Sequence, residues 1–120
     1  PRFYFNEPVL DFGFMNAKTA YKSTYVWGEK NLPFDLKAIN TQDLVVKLTQ
    51  TYVDPTQIDE VVEVSQSNSK AVFAYKIDVQ VDPVNIKRSM SRILAFQSSE
   101  FPQATPEIHL VGYQAKSVIH

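Results

Sequence analysis

The chain has 120 residues, 44% of them apolar, and a net charge of −1 from 12 basic and 13 acidic side chains. That length fits one domain with enough buried surface to need no staple, and the apolar share excludes disorder over most of the chain. The charge balance argues against duplex DNA as a partner, the lack of cysteine removes disulfides and thiolate chemistry, and no apolar run approaches the ~18 residues of a membrane span.

The first segment, Arg2 to Phe5, reads as a strand broken at Pro8. It lacks the basic region and long apolar core of a signal peptide, so a cytoplasmic protein is expected by default. Val9 to Phe14 resumes the strand. Residues 16–28 are ambiguous. Asn16 and Gly28 would frame a short helix, but Thr24, Tyr25, Val26 and Trp27 are strand formers, and strand or loop is favoured.

Residues 43–53 alternate, with Leu44, Val46, Leu48 and Tyr52 inward and Lys47, Thr49 and Thr51 opposite. Asp54-Pro55-Thr56 reads as a turn. Residues 58–66 read as a shorter strand. Residues 71–82 carry the clearest period-2 pattern, with Phe73, Tyr75, Ile77, Val79 and Val81 on one face. In this order the three segments predict an antiparallel meander.

Asp82-Pro83 is a helix start, with Asp as N-cap and Pro in the first helical position. Ile86, Met90, Ile93, Leu94 and Gln97 then follow a 3.6 period, with Lys87, Arg88 and Arg92 on the solvated side. The pattern predicts a helix over 83–98, ended at the latest by Pro102. Residues 107–115 read as a closing strand. The expected fold class is therefore α+β: an antiparallel sheet, a meander of three to five strands, backed by one main C-terminal helix, in a single domain.

Chemistry-bearing motifs are sparse. His109 lies in the closing strand with Val111 and Tyr113 on its face, and His120 is the last residue. Neither has partners at zinc-ligand spacing. Asp54, Asp59, Glu60 and Glu63 lack the ladder and glycine turn of a calcium loop. With three glycines and no phosphate-loop pattern, nucleotide binding is not expected. No cofactor, metal or catalytic residue is predicted.

The aromatics are uneven. Phe3, Tyr4, Phe5, Phe12, Phe14, Tyr21, Tyr25, Trp27 and Phe34 fall in the first 34 residues, interleaved with Lys18, Lys22, Lys30 and Lys37. Most are expected in the core. Tyr21, Tyr25 and Trp27 lie where periodicity fails, and they are the predicted binding residues. Apolar density on both faces of the N-terminal segment predicts a homo-oligomer or a ligand groove.

Two stretches bear on family. Ile86 to Leu94, then Phe101-Pro102, then Ile108-His109-Leu110, after an aromatic-rich start, resembles the SecB-like export chaperone superfamily. That resemblance implies a self-associating module that binds unfolded polypeptide. Pro1 followed by Arg2 to Phe5 looks like the start of the tautomerase superfamily, which implies an oligomeric enzyme with Pro1 as base. The favoured expectation is a non-enzymatic polypeptide- or protein-binding module, chaperone-like or an assembly or structural protein such as one of a phage particle. The alternatives are the Pro1 enzyme and a single-stranded nucleic-acid binder using the aromatics and lysines.

Overall fold

The computed structural model describes residues 2–16, 18–56 and 71–114. Eight strands follow in chain order: β1 (Phe3–Phe5), β2 (Val9–Met15), β3 (Ala20–Gly28), β4 (Lys37–Ala38), β5 (Leu44–Val53), β6 (Val72–Val81), β7 (Ser89–Gln97) and β8 (Glu107–Gln114). Among the described residues they form two four-stranded sheets, ordered β1-β3-β6-β5 and β2-β8-β7-β4. Every pairing in the first sheet is antiparallel. The second sheet is mixed, because β2 runs parallel to β8.

The expected helix over 83–98 is absent, and with it the α+β class. Its start signal is real but short. The Asp82 carboxylate accepts from the Val84 N–H at 3.1 Å, and Pro83–Asn85 form one 3-10 turn before Ile86 returns to extended backbone. Residues 89–97 are strand β7. The two periods coincide at Ile86, Met90 and Leu94, which are four apart and therefore also on one face of a strand. They part at Phe96, which is fully buried, and at Ile93, which is 40% exposed. A charged residue on the inward face hid the alternation. Arg92 points toward the core side and donates to the carbonyls of Gln42 at 2.6 Å and Asn40 at 2.7 Å. It is not on a solvated helix face with Lys87 and Arg88.

The meander also changes. β5 pairs directly with β6, from Leu44 opposite Val81 to Val53 opposite Val72, and β3 takes the other side of β6. β5 and β6 are therefore immediate neighbours in the sheet. The segment read as a strand at 58–66 lies outside the described residues. The Asp54 turn is present, with the buried carboxylate accepting from the Thr56 N–H at 3.0 Å and hydroxyl at 2.7 Å.

One core lies between the sheets. It takes Phe73, Tyr75, Ile77, Val79 and Val81 from β6, Val26 from β3, Leu10 and Met15 from β2, Met90, Leu94 and Phe96 from β7, and Ile108 and Leu110 from β8. Leu44, Val46, Leu48 and Tyr52 of β5 pack against it. The inward faces of β5 and β6 are those the alternation predicts. Facing sheets that bury one side each and interdigitate between them are a β-sandwich.

The chain leaves β1 after three residues because Asn6 intervenes. Its side-chain oxygen accepts from the Tyr25 N–H at 2.7 Å and the Thr24 hydroxyl at 2.9 Å. That hydroxyl also receives the Glu7 N–H at 3.1 Å. The buried Thr24 is thereby satisfied, and the chain turns toward the other sheet. In β2 a bulge at Gly13, with φ +62°, shifts the register between Asp11 and Phe14. The Asp11 carboxylate accepts the Gly13 N–H at 2.8 Å. A bulge re-aims the side chains beyond it. Phe12 packs on the core, whereas Phe14 stands 78% exposed against Tyr113, ring centroids 5.3 Å apart.

Candidate functional site

The odd residues of β3 share the outer face of the first sheet, so Tyr21, Tyr25 and Trp27 are aligned on one side. They are not equally accessible. Tyr21 is 68% exposed at one end of the strand. Tyr25 is 3% exposed and belongs to a small outer cluster with Val53 and Ala74, against which Trp27 and Val72 pack. Trp27 is half-buried and stacks on Tyr4 of β1, centroids 6.4 Å apart. Tyr25 is thus a core residue of the outer face. Trp27 belongs with Tyr4 at the β1 edge, and Tyr21 stands apart from both.

That edge has two unused features. Among the described residues β1 ends the first sheet. The Glu29 N–H donates to the Arg2 carbonyl at 2.8 Å, and the Asn6 N–H to the Tyr25 carbonyl at 3.2 Å. These bonds fix which residues of β1 face β3: Arg2, Tyr4 and Asn6 do. In an antiparallel pair the alternate residues face the other way. The N–H and C=O groups of Phe3 and Phe5 therefore point out of the sheet, and no described residue bonds them.

The second feature is a cavity of about 240 Å³ at the Arg2 end of β1. Phe3, Leu32, Phe34 and Phe101 supply its apolar walls, and Arg2, Glu29 and Lys30 its mouth. The Phe3 ring meets Phe34 at 5.0 Å and Phe101 at 5.9 Å, both edge to face. Gly28, opposite Phe3, leaves the space open. A Cβ there would come within 3.4 Å of the Lys30 carbonyl and 4.0 Å of the Phe3 ring. The volume is below the roughly 300–1,000 Å³ of a site for a drug-sized ligand and suits a side chain.

The walls are fixed from behind. The buried Tyr75 hydroxyl donates to the Phe34 carbonyl at 2.9 Å. Asn31 holds the Phe73 N–H at 2.8 Å and the Ala71 carbonyl at 3.1 Å. The loop carrying Phe101 is tied to the loop carrying Phe34 through Asp35, which accepts the Ser99 N–H and hydroxyl, both at 2.8 Å, and through Glu100, which accepts the Asp35 N–H at 3.0 Å. Hydrogen bonds to Glu100 first, then Ser99 and Ser98, hold the Asp35 carboxyl well below the usual carboxylate range, against a smaller opposing effect of desolvation.

Elsewhere the chemistry is thinner. The Ser91 hydroxyl lies 2.9 Å from His109 Nε2 on the outer face of the second sheet, a pair 18 residues apart that no sequence motif marks. Among the described residues no carboxylate orients the other ring nitrogen, which a Ser–His nucleophile requires. No group of three or more histidine, aspartate or glutamate side chains among the described residues is placed to hold a metal, and none of their helices is long and apolar enough to cross a membrane. Pro1, His120, Asp59, Glu60 and Glu63 lie outside the described residues.

The chain matches no known protein family and no curated protein sequence.

Proposed function

We propose that the chain is a non-enzymatic protein-binding module that takes an extended segment of another polypeptide as an added strand on β1. The observation that carries this reading is the pair of outward-facing backbone units at Phe3 and Phe5, set beside an aromatic-walled cavity of side-chain size. Strand addition draws affinity from main-chain hydrogen bonds and specificity from pockets that take individual side chains. Tyr4 and Trp27 flank the same edge with large, rigid, half-exposed rings of the kind that anchor interfaces.

A labelled peptide of about eight alternating valine and threonine residues with one leucine tests it by fluorescence anisotropy. The chain is expected to bind the peptide and to lose it when alternate peptide amides are N-methylated, since those amides then cannot reach Phe3 and Phe5. Gly28→Val places a side chain in the cavity and is expected to weaken binding about tenfold with little change in stability. Equal binding of the N-methylated peptide, or no binding of either, rejects the reading.

A second reading, self-association, is favoured by Phe14, which the bulge raises onto the outer face of the second sheet beside the exposed Tyr113, with Val9 and Ile93 exposed further along that face at His109. Light scattering is expected to show a concentration-dependent mass that Phe14→Ser reduces to that of one chain. A single-chain mass at every concentration removes it.

A further inference from the structure

The β1 edge has a direction, and its charges lie at one end. All three pairings of the first sheet are antiparallel. A strand added to β1 in the same sense runs opposite to it and brings its C-terminal end to Arg2, where the cavity opens. Arg2 and Lys30 stand there with one carboxylate, Glu29. All three side chains are exposed, and none is in an ion pair with a described residue. The mouth of an apolar cavity thus carries a net positive charge where the end of an antiparallel strand arrives.

We infer that β1 captures the C-terminal end of another polypeptide, with its last apolar side chain in the cavity and its terminal carboxylate against Arg2 and Lys30. The inference rests on strand addition at β1 as proposed above and adds the polarity and chemistry of the ligand. Phe3 and Phe5 pair with the peptide backbone. Phe34, Phe101 and Leu32 receive an aliphatic or aromatic terminal residue. A positive rim over an apolar floor selects a free carboxylate over an amide, because the amide desolvates the cations without neutralising them. A parallel strand would bring an N-terminal ammonium to the same cations, which repels.

Three synthetic peptides separate the possibilities: the valine–threonine sequence ending in leucine as the free acid, the same peptide as the C-terminal amide, and an amide with glutamate after the leucine. The free acid is expected to bind about five- to tenfold tighter than the amide at low salt, with the gap closing as salt is raised. It is also expected to bind tighter than the glutamate peptide, whose carboxylate sits on a side chain. Arg2→Gln with Lys30→Gln is expected to erase the acid–amide difference while leaving amide binding in place. Equal binding of acid and amide by the wild-type chain overturns terminal capture and leaves strand addition standing. A glutamate peptide that binds as well as the free acid overturns it in favour of an internal acidic segment. No binding of any of the three removes both.

Discussion

Leu94 and Ile93 are adjacent in the chain and opposite in environment: Leu94 has no exposed surface, and Ile93 is on the open face of the second sheet. A helix packed on a sheet would bury both. Leu94→Ala is expected to cost about 2–5 kcal/mol and Phe96→Ala about 3–5 kcal/mol, whereas Ile93→Thr stays within about 0.5 kcal/mol. Denaturant unfolding of the three variants checks this, and a cost at Ile93 equal to that at Leu94 contradicts the strand. Asp35 gives a second expectation. A carboxyl whose folded pKa is lowered adds stability that is fully present above its unfolded value near ~3.9 and is lost as pH falls toward the folded value. The stability difference between the wild-type chain and Asp35→Asn should therefore be constant from about pH 7 to 5 and shrink below about pH 4. A difference that grows on acidification has the wrong sign. Of the three residues singled out by sequence, Trp27 lies beside the candidate site and Tyr25 does not, although both stand on one face of β3. A single strand's pattern shows which residues share a face. It does not show that a second apolar cluster with Val53 and Ala74 buries one of them.

At the scale of elements, legibility followed how strictly the inward positions were apolar. β6 places five apolar side chains on its inward face without exception, and β5 nearly so, and both were readable as strands with the correct face buried. β7 was not, because Arg92 occupies an inward position and is satisfied there by the carbonyls of Asn40 and Gln42, partners 52 and 50 residues away. The capping signal at Asp82-Pro83 was real, but a cap starts a turn and the following residues decide its length. Asn6 determines the length of β1 in a comparable way. Asn6→Ala removes the side-chain acceptor of the Tyr25 N–H and leaves the buried Thr24 hydroxyl only the Glu7 carbonyl at 2.9 Å, and a loss of about 1–3 kcal/mol is expected in thermal or denaturant unfolding. A fully stable Asn6→Ala would mean that β1 does not depend on this turn.

At the scale of the whole molecule, the chain passes repeatedly from one sheet to the other, so most neighbours in space are remote in sequence. β2 lies beside β8, Val9 opposite His109, and the cavity joins Arg2 and Phe3 to Phe34 and Phe101. Nothing local marks such meetings, which is why the local patterns predict one sheet and a helix where the chain forms two sheets. It is also why no sequence pattern joins Arg2, Lys30 and Phe101, which meet only in the fold. In the sequence Phe101 is marked only by its place before Pro102 in the chaperone-like pattern. The central claim is that β1 is an open edge that accepts another strand, and amide hydrogen exchange tests it most directly. In the free chain the Tyr4 N–H, paired with β3, should exchange slowly, and the Phe3 and Phe5 N–H groups quickly. Adding the leucine-terminated free-acid peptide should slow Phe3 and Phe5 by at least about tenfold and leave residues on the outer face of the second sheet unchanged. Phe3 and Phe5 amides already protected without peptide, or unaffected by saturating peptide, would contradict the account.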